Sequence, residues 1–245
     1  MIQAGELALI QAVIFDCDGT LVDSEQAHFL SWQVAIQNRG QTLDKQTYIR
    51  HFVGLGDFAI LKSLGFSDLD ALLHEKNEAF SRHHDDAHIV PIGPTVDFAR
   101  KLFEQKEHYR LKLAVASGAR KEDILRSLKS LGIEHYFEAI LSGRDDLSEY
   151  LDPEGTNKPK PYVYQKAAKL LGLKPEECLA IEDSSAGVTA ATSAGCFTIA
   201  IPNHYTAEQD LSHAHMKLKS LEGFSVEHFF QLVASQKRAY TNYRK

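Results

Sequence analysis

Two aspartates one residue apart, Asp16 and Asp18, close a short apolar run, Ala12-Val-Ile-Phe15, and lead directly into Gly19-Thr20-Leu21. The run reads as a buried strand, and residues two apart in a strand share a face. Gly19 allows the chain to turn sharply just beyond them. Both carboxylates therefore emerge near one point where strand gives way to loop. Two anions held that close repel unless a cation, a proton or a phosphate-binding environment offsets them. The chemistry suggested is a carboxylate nucleophile, Asp16, beside a carboxyl acid/base, Asp18, with Mg²⁺ holding a phosphate between them. An Asp-x-Asp alone also describes a solvated acidic turn, so the decision rests on the remaining chain.

Three further segments supply what is needed. Residues 111–118, Leu-Lys-Leu-Ala-Val-Ala-Ser-Gly, form a strand-like run, with Ile124, Leu125, Leu128 and Leu131 following at helical spacing. Ser117 and Gly118 thus fall at a strand-to-helix turn, where a hydroxyl and free backbone N–H groups can hold phosphate oxygens or simply cap the helix. Asn157-Lys158-Pro159-Lys160-Pro161 leads into a helix carrying Ala167, Ala168, Leu170 and Leu171. The prolines restrict its backbone and suit a lysine held in one place. Cys178-Leu-Ala-Ile181 is a short buried strand ending in Glu182-Asp183-Ser184. Two acids at the tip of an apolar strand are costly unless they bind a cation, and Mg²⁺ favours a few carboxylates completed by water and phosphate.

In this order the four segments resemble the four signature motifs of the haloacid dehalogenase superfamily. They are most similar to its branch with a helical cap inserted after the first motif, which holds β-phosphoglucomutase-like and phosphoglycolate-phosphatase-like enzymes. The likeness runs from about Ala12 to Pro202. It implies Asp16 as a nucleophile that becomes an aspartyl phosphate, and Asp18 as general acid/base. Ser117, Gly118 and Lys158 would bind the transferring phosphoryl group. Asp16, the backbone carbonyl of Asp18, Glu182 and Asp183 would hold Mg²⁺.

The rhythm of the chain agrees. Strand candidates at 12–15, 113–116, 139–141, 178–181 and 197–201 alternate with helical patterns near 95–107, 120–131, 160–171 and 184–194. That alternation predicts an α/β fold, a doubly wound, Rossmann-like parallel sheet covered on both faces. Ligands bind beyond the carboxyl ends of such strands, where all four motifs fall. From Val22 to Pro91 the pattern is helical with no convincing strand, so residues 22–93 are expected to be an inserted all-helical cap. Residues 1–21 and 94–245 are expected to form the core. Ser67 and Asp70 resemble a capping box, and the polar stretch 143–157 reads as a mobile loop.

Composition bounds the remaining possibilities. A chain of 245 residues with 44% hydrophobic and 24% charged residues is that of an ordinary globular protein. A net charge of −6 with no strong basic run gives no general attraction for nucleic acid or anionic lipid. No stretch approaches the ~20 apolar residues that cross a bilayer, and no basic leader precedes the first motif. The expectation is a cytoplasmic monomer acting on a small phosphorylated metabolite. Cys17, Cys178 and Cys196 lack metal or disulfide spacing and read as buried thiols, with Cys17 pointing away from its two neighbours. The run His83, His84, Asp85, Asp86 and His88 reads as a solvated surface rather than a metal site.

Within the cap, His28 and Lys76 match substrate-facing positions of the mutase-like members. Where those members carry an arginine for a second phosphate, this chain has Asp57, and Ala119 and Arg120 also depart after Ser117. Asp repels a phosphate that Arg would clamp. The reading is therefore a Mg²⁺-dependent phosphatase for a sugar or polyol phosphate, with a β-phosphoglucomutase-type isomerase as the alternative. A non-catalytic binding protein on the same fold is a third reading, and the intact Asp16, Asp18, Lys158 and Asp183 argue against it. Asp16→Asn should leave the fold intact and remove essentially all turnover, because an amide is a poor nucleophile. Purified variant and wild type compared for phosphate release and by circular dichroism check this, and substantial residual activity would contradict it.

Overall fold

A computed structural model describes residues 10–85 and 90–243. The core is a six-stranded, all-parallel sheet in the order β5-β4-β1-β6-β7-β8. Its strands are β1 (Ala12–Phe15), β4 (Lys112–Ser117), β5 (Ala139–Ser142), β6 (Cys178–Glu182), β7 (Phe197–Ala200) and β8 (Met216–Lys217). Helices α5 (Gly93–Tyr109), α6 (Lys121–Ser130), α7 (Tyr162–Leu170), α8 (Ser185–Ala194) and α9 (Val226–Tyr243) complete it. This is the α/β, doubly wound sheet expected from the alternation. The chain builds outward from β1 through β4 to β5, then crosses back to β6 on the other side. β1 thus lies at the switch point, where ligands bind beyond the carboxyl ends.

The two faces of the sheet differ in side-chain size. Val13, Phe15, Leu113, Val115, Leu179 and Ile181 point to one face and pack with residues of α5, α6 and α9. Ala12, Ala114, Ala116 and Ala180 line the other, opposite Ala167 and Ala168 of α7 and Ala190 and Ala191 of α8. Small residues on both sides let these helices approach the sheet closely. Burying both faces of a parallel sheet also explains why β1 is apolar throughout.

Between β1 and α5 lie α1 (Glu25–Gln37), α2 (Lys45–His51), α3 (Asp57–Leu64) and α4 (Leu69–Asp85). α1 packs on α4, and Phe29, Trp32, Ile36, Tyr48, Ile60 and Leu72 form a cluster of their own. Tyr205, from the loop after β7, joins that cluster.

Several sequence expectations need correction. The 22–91 segment does contain strand: β2 (Val22–Asp23) and β3 (Val90–Pro91) pair antiparallel where the chain leaves and re-enters the core. Two residues are too few for a periodic signal. The helix beginning at Leu69 is preceded by Asp68, not Ser67, and Asp68 is engaged by Arg39 at 2.5 Å. The stretch 143–157 is tied down rather than loose. Asp146 accepts from Ser142 N and Lys121 Nζ at 2.8 and 2.9 Å, and Tyr162 donates to Asp152 at 3.0 Å. β8 and α9 also lie beyond the elements read from sequence. Of the His83–His88 run, residues 86–88 lie outside the described residues. No helix among the described residues is long and apolar enough to cross a membrane.

Candidate active site

Asp16 follows β1 directly, and its backbone N–H donates to Ile181 O of the neighbouring strand at 3.0 Å. This ties its position to β6. Lys158, from the turn before α7, reaches across with Nζ 2.5 Å from Asp16 Oδ1 and 2.6 Å from Glu182 Oε1. The same Glu182 oxygen accepts the Tyr164 hydroxyl at 2.6 Å, and the Tyr164 ring lies 5.2 Å from the ammonium. Glu182 Oε2 accepts from Asp183 N and from the Ser184 hydroxyl. Glu182 is fully buried, and its nest is possible only because residue 187 is glycine. A Cβ there would lie 2.0 Å from Oε2.

Asp183 Oδ2 is held by Asn203 Nδ2 at 2.9 Å and by the Thr206 hydroxyl at 3.4 Å. Gly19 is required beside it, having φ +84° and an ideal Cβ position 2.3 Å from that same oxygen. Asp16, Glu182 and Asp183 offer oxygens within 4.8 Å of one another. Burial pushes the Asp16 carboxyl up; Lys158 opposes this, Glu182 and Asp18 reinforce it, and the result is about 8. Burial, then Asp16 and Glu182, raise Asp183 as well. Asp16 Oδ2 and Asp183 Oδ1 accept no hydrogen bond from the described residues, and both residues line the cavity. Hard, crowded and under-satisfied carboxylate oxygens fit a divalent cation such as Mg²⁺. Glu182 belongs to the cluster, but its oxygens are already taken up by four donors.

The Asp18 carboxylate lies outside that cluster. Its Oδ1 accepts the Ser24 hydroxyl at 2.6 Å and its Oδ2 the Ser117 hydroxyl at 3.2 Å. Ser117 in turn accepts from Ala119 N at 3.1 Å. Asn157 braces this turn, donating to Gly118 O at 2.9 Å while accepting from Lys158 N at 2.8 Å. Asp16, Asp18, Ser117, Gly118 and Lys158 therefore line one cavity of about 140 Å³. Cys17 is buried in the core behind them, as expected.

Residues of α1, α3 and α4 form the other wall. His28 stacks on Phe80 at 4.3 Å, and burial followed by repulsion from Lys76 lowers it to about 4. Lys76 is only 3% exposed, over the rings of Trp32 and Phe80, with Nζ 2.8 Å from Asp57 Oδ1. Asp57 is not the bare anion that the sequence suggested. Its Oδ2 also accepts from Arg144 Nη1 at 3.0 Å. Burial would push the Asp57 carboxyl up, yet Lys76, His28 and Arg144 outweigh it and hold it below the usual range. Arg120 is spent on Asp123, through bonds of 2.7 and 2.9 Å. Glu25 lines the cavity too, raised by burial to about 7 although the Tyr48 hydroxyl donates to it at 2.7 Å.

Sequence reasoning missed Tyr164, Asn203, Thr206 and Arg144. Tyr164 looks like one more apolar position of a helix. The others sit in loops after β5 and β7, and their one signal is polar residues just beyond the end of a buried strand.

The chain belongs to the haloacid dehalogenase-like hydrolases, whose family model matches residues 13–201. It is 31% identical over 188 residues to the fructose-1-phosphate phosphatase YqaB of Escherichia coli, covering 75% of this chain and 92% of that protein. It is 30% identical over 203 residues to β-phosphoglucomutase of Bacillus subtilis, covering 78% and 83%. The crystal structure of CbbY from Rhodobacter sphaeroides in complex with phosphate superposes with a TM-score of 0.73 at 25% identity, covering 87% and 96%.

The crowded carboxyls have a measurable consequence. With chelator present, folded Asp16 keeps its proton up to about pH 8, whereas the unfolded chain releases it near pH 4. Its stabilising contribution is thus complete below about pH 4 and is lost as pH rises toward 8. Glu25 and Asp183 add the same sign. Wild type should lose about 1 kcal/mol or more of unfolding free energy between pH 6.5 and 8 in chelator, and Asp183→Asn should lose less. Urea denaturation at the two pH values measures both, and stability that rises over this interval would contradict the assignment.

Proposed function

We propose that this chain is a Mg²⁺-dependent phosphatase acting on a small phosphorylated metabolite, a sugar or polyol phosphate, through an aspartyl-phosphate intermediate. One observation carries the reading. Asp16, braced by Lys158 beside Asp183, and Asp18, braced by two serine hydroxyls, face the same cavity beneath the cap helices. Asp16 Oδ2 attacks phosphorus in line, forming the O–P bond as the bond to the leaving oxygen breaks, and Asp18 donates its proton to that oxygen. Asp18 then takes a proton from the water that attacks phosphorus, and the Asp16 O–P bond breaks to release inorganic phosphate. Lys158 and the Ser117 hydroxyl stabilise charge on the equatorial phosphoryl oxygens. Asp16 and Asp183 would hold Mg²⁺, with Glu182 and the Asp18 backbone carbonyl as the other ligands that the family resemblance implies, and the ion would supply further positive charge beside those oxygens.

Residues 22–93 act as the cap and residues 1–21 and 94–245 as the core in this proposal. Three side-chain links across the boundary support a closed working form: Gln209 Nε2 to Val53 O, Arg120 to Ser81, and Arg144 to Asp57. Closure excludes bulk water and leaves room for one positioned molecule. A cavity of about 140 Å³ suits a small metabolite rather than a polymer. The cytoplasm and a monomeric state remain part of the proposal.

The mutase alternative draws on His28 and Lys76, which line the cavity. Lys76 is committed to Asp57, which leaves a second phosphate without a free lysine clamp. With β-glucose 1-phosphate, Mg²⁺ and a trace of bisphosphate primer, phosphorus NMR should show free phosphate and little glucose 6-phosphate. Near-quantitative glucose 6-phosphate with negligible phosphate release would establish the isomerase instead.

A further inference from the structure

The part of the cavity lined by Asp57 has an unusual charge arrangement. Asp57, at the start of α3, lies between two cations from different parts of the chain: Lys76 of the cap at 2.8 Å and Arg144 of the core loop after β5 at 3.0 Å. All three line the cavity. Lys76 is almost wholly enclosed, whereas the Arg144 side chain is 30% exposed and Asp57 23%. Arg144 gives one of its five N–H donors to Asp57 among the bonds made by the described residues. The remaining donors and the flank of the Asp57 carboxylate are therefore open to a ligand. The other arginine on this wall, Arg120, is paired with Asp123 through two nitrogens.

We propose that Arg144 and Asp57 together read the non-transferring end of the substrate, selecting a neutral hydroxylated body and turning away a second anionic group. The proposal rests on the phosphatase reading above and adds the residues that select its substrate and the anionic classes they exclude. A ligand atom placed between these residues meets a donor and an acceptor at once. A hydroxyl satisfies both, accepting from the guanidinium and donating to the carboxylate. A fully ionised phosphate or carboxylate has no proton for Asp57, and it competes with Asp57 for the same two cations. An anion that draws Arg144 away leaves the half-buried Asp57 carboxylate on Lys76 alone and beside a like charge, which is the costly outcome. Adjacent hydroxyls, as on a sugar or polyol, would extend the pairing along the fork of Arg144. Bisphosphates and phosphorylated acids are the classes excluded.

Substrate pairs that differ in the distal group test this directly. Fructose 1-phosphate is compared with fructose 1,6-bisphosphate, and glycerol 3-phosphate with 3-phosphoglycerate, by kcat/KM with Mg²⁺. p-Nitrophenyl phosphate serves as the reference for the phosphoryl chemistry. Wild type should favour the neutral member of each pair at least tenfold. Asp57→Asn, which offers the anion a donor and removes the repelling charge, should shrink that preference at least tenfold. Arg144→Gln should raise KM for the hydroxylated substrates about tenfold relative to p-nitrophenyl phosphate. If Asp57→Asn fails to fold by circular dichroism, the wild-type preference and the Arg144→Gln shift decide. Hydrolysis of p-nitrophenyl phosphate without preference in either pair would overturn the inference and leave the phosphatase reading standing. No phosphate release from any compound would overturn both.

Discussion

Everything in this site follows from the cost of gathering carboxylates at one point. Asp16, Glu182 and Asp183 stand within 4.8 Å of one another with Lys158 as the cation among them. At an effective dielectric of 20, two unit charges at that distance repel by about 3 kcal/mol. Burial does most to push Asp16 and Asp183 up, and the neighbouring carboxylates, which one ammonium cannot offset, add to it. The arrangement persists because the fold determines where each group can be. Glu182 is buried in a nest that only glycine at 187 permits, and Asp183 is held by Asn203 and Thr206. The stored electrostatic imbalance is what a divalent cation would relieve.

The sheet makes that crowding possible. Alanines on one face let α7 and α8 sit close, and these helices carry the groups that converge on the strand ends. Tyr164 of α7 packs under the sheet and still donates to Glu182. The N-terminus of α8 presents Ser184 and Gly187 to the same carboxylate. A larger residue at Ala167 or Ala190 would push a helix outward and, through it, the charges at the site. Packing and chemistry are thus coupled through side-chain size.

Much of this was legible in the sequence, because the core motifs are local. An apolar strand ending in a charged or hydroxyl residue marks itself, and Asp16, Asp18, Ser117, Glu182 and Asp183 are all read that way, while Lys158 is read from the prolines around it. Their convergence follows from the parallel topology alone. Partners supplied from distant segments left no comparable mark. Asp57 looked like an unopposed anion because Arg144 is 87 residues away and Lys76 lies on another helix. The strands β2 and β3 are two residues each, too short for any periodicity to register. The 143–157 stretch looked loose because its anchors, Lys121, Ser142 and Tyr162, lie outside it.

The central claim is that Asp16 itself receives the phosphoryl group. It can be tested by mixing enzyme, Mg²⁺ and a turned-over sugar phosphate, quenching in acid within milliseconds, and reducing with borohydride. An aspartyl phosphate is converted to homoserine, and peptide mass spectrometry locates it. Homoserine at residue 16, and at none of Asp18, Glu182 or Asp183, is the predicted result. Phosphate release with residue 16 unmodified at every quench time, or homoserine at another carboxylate, would contradict the account.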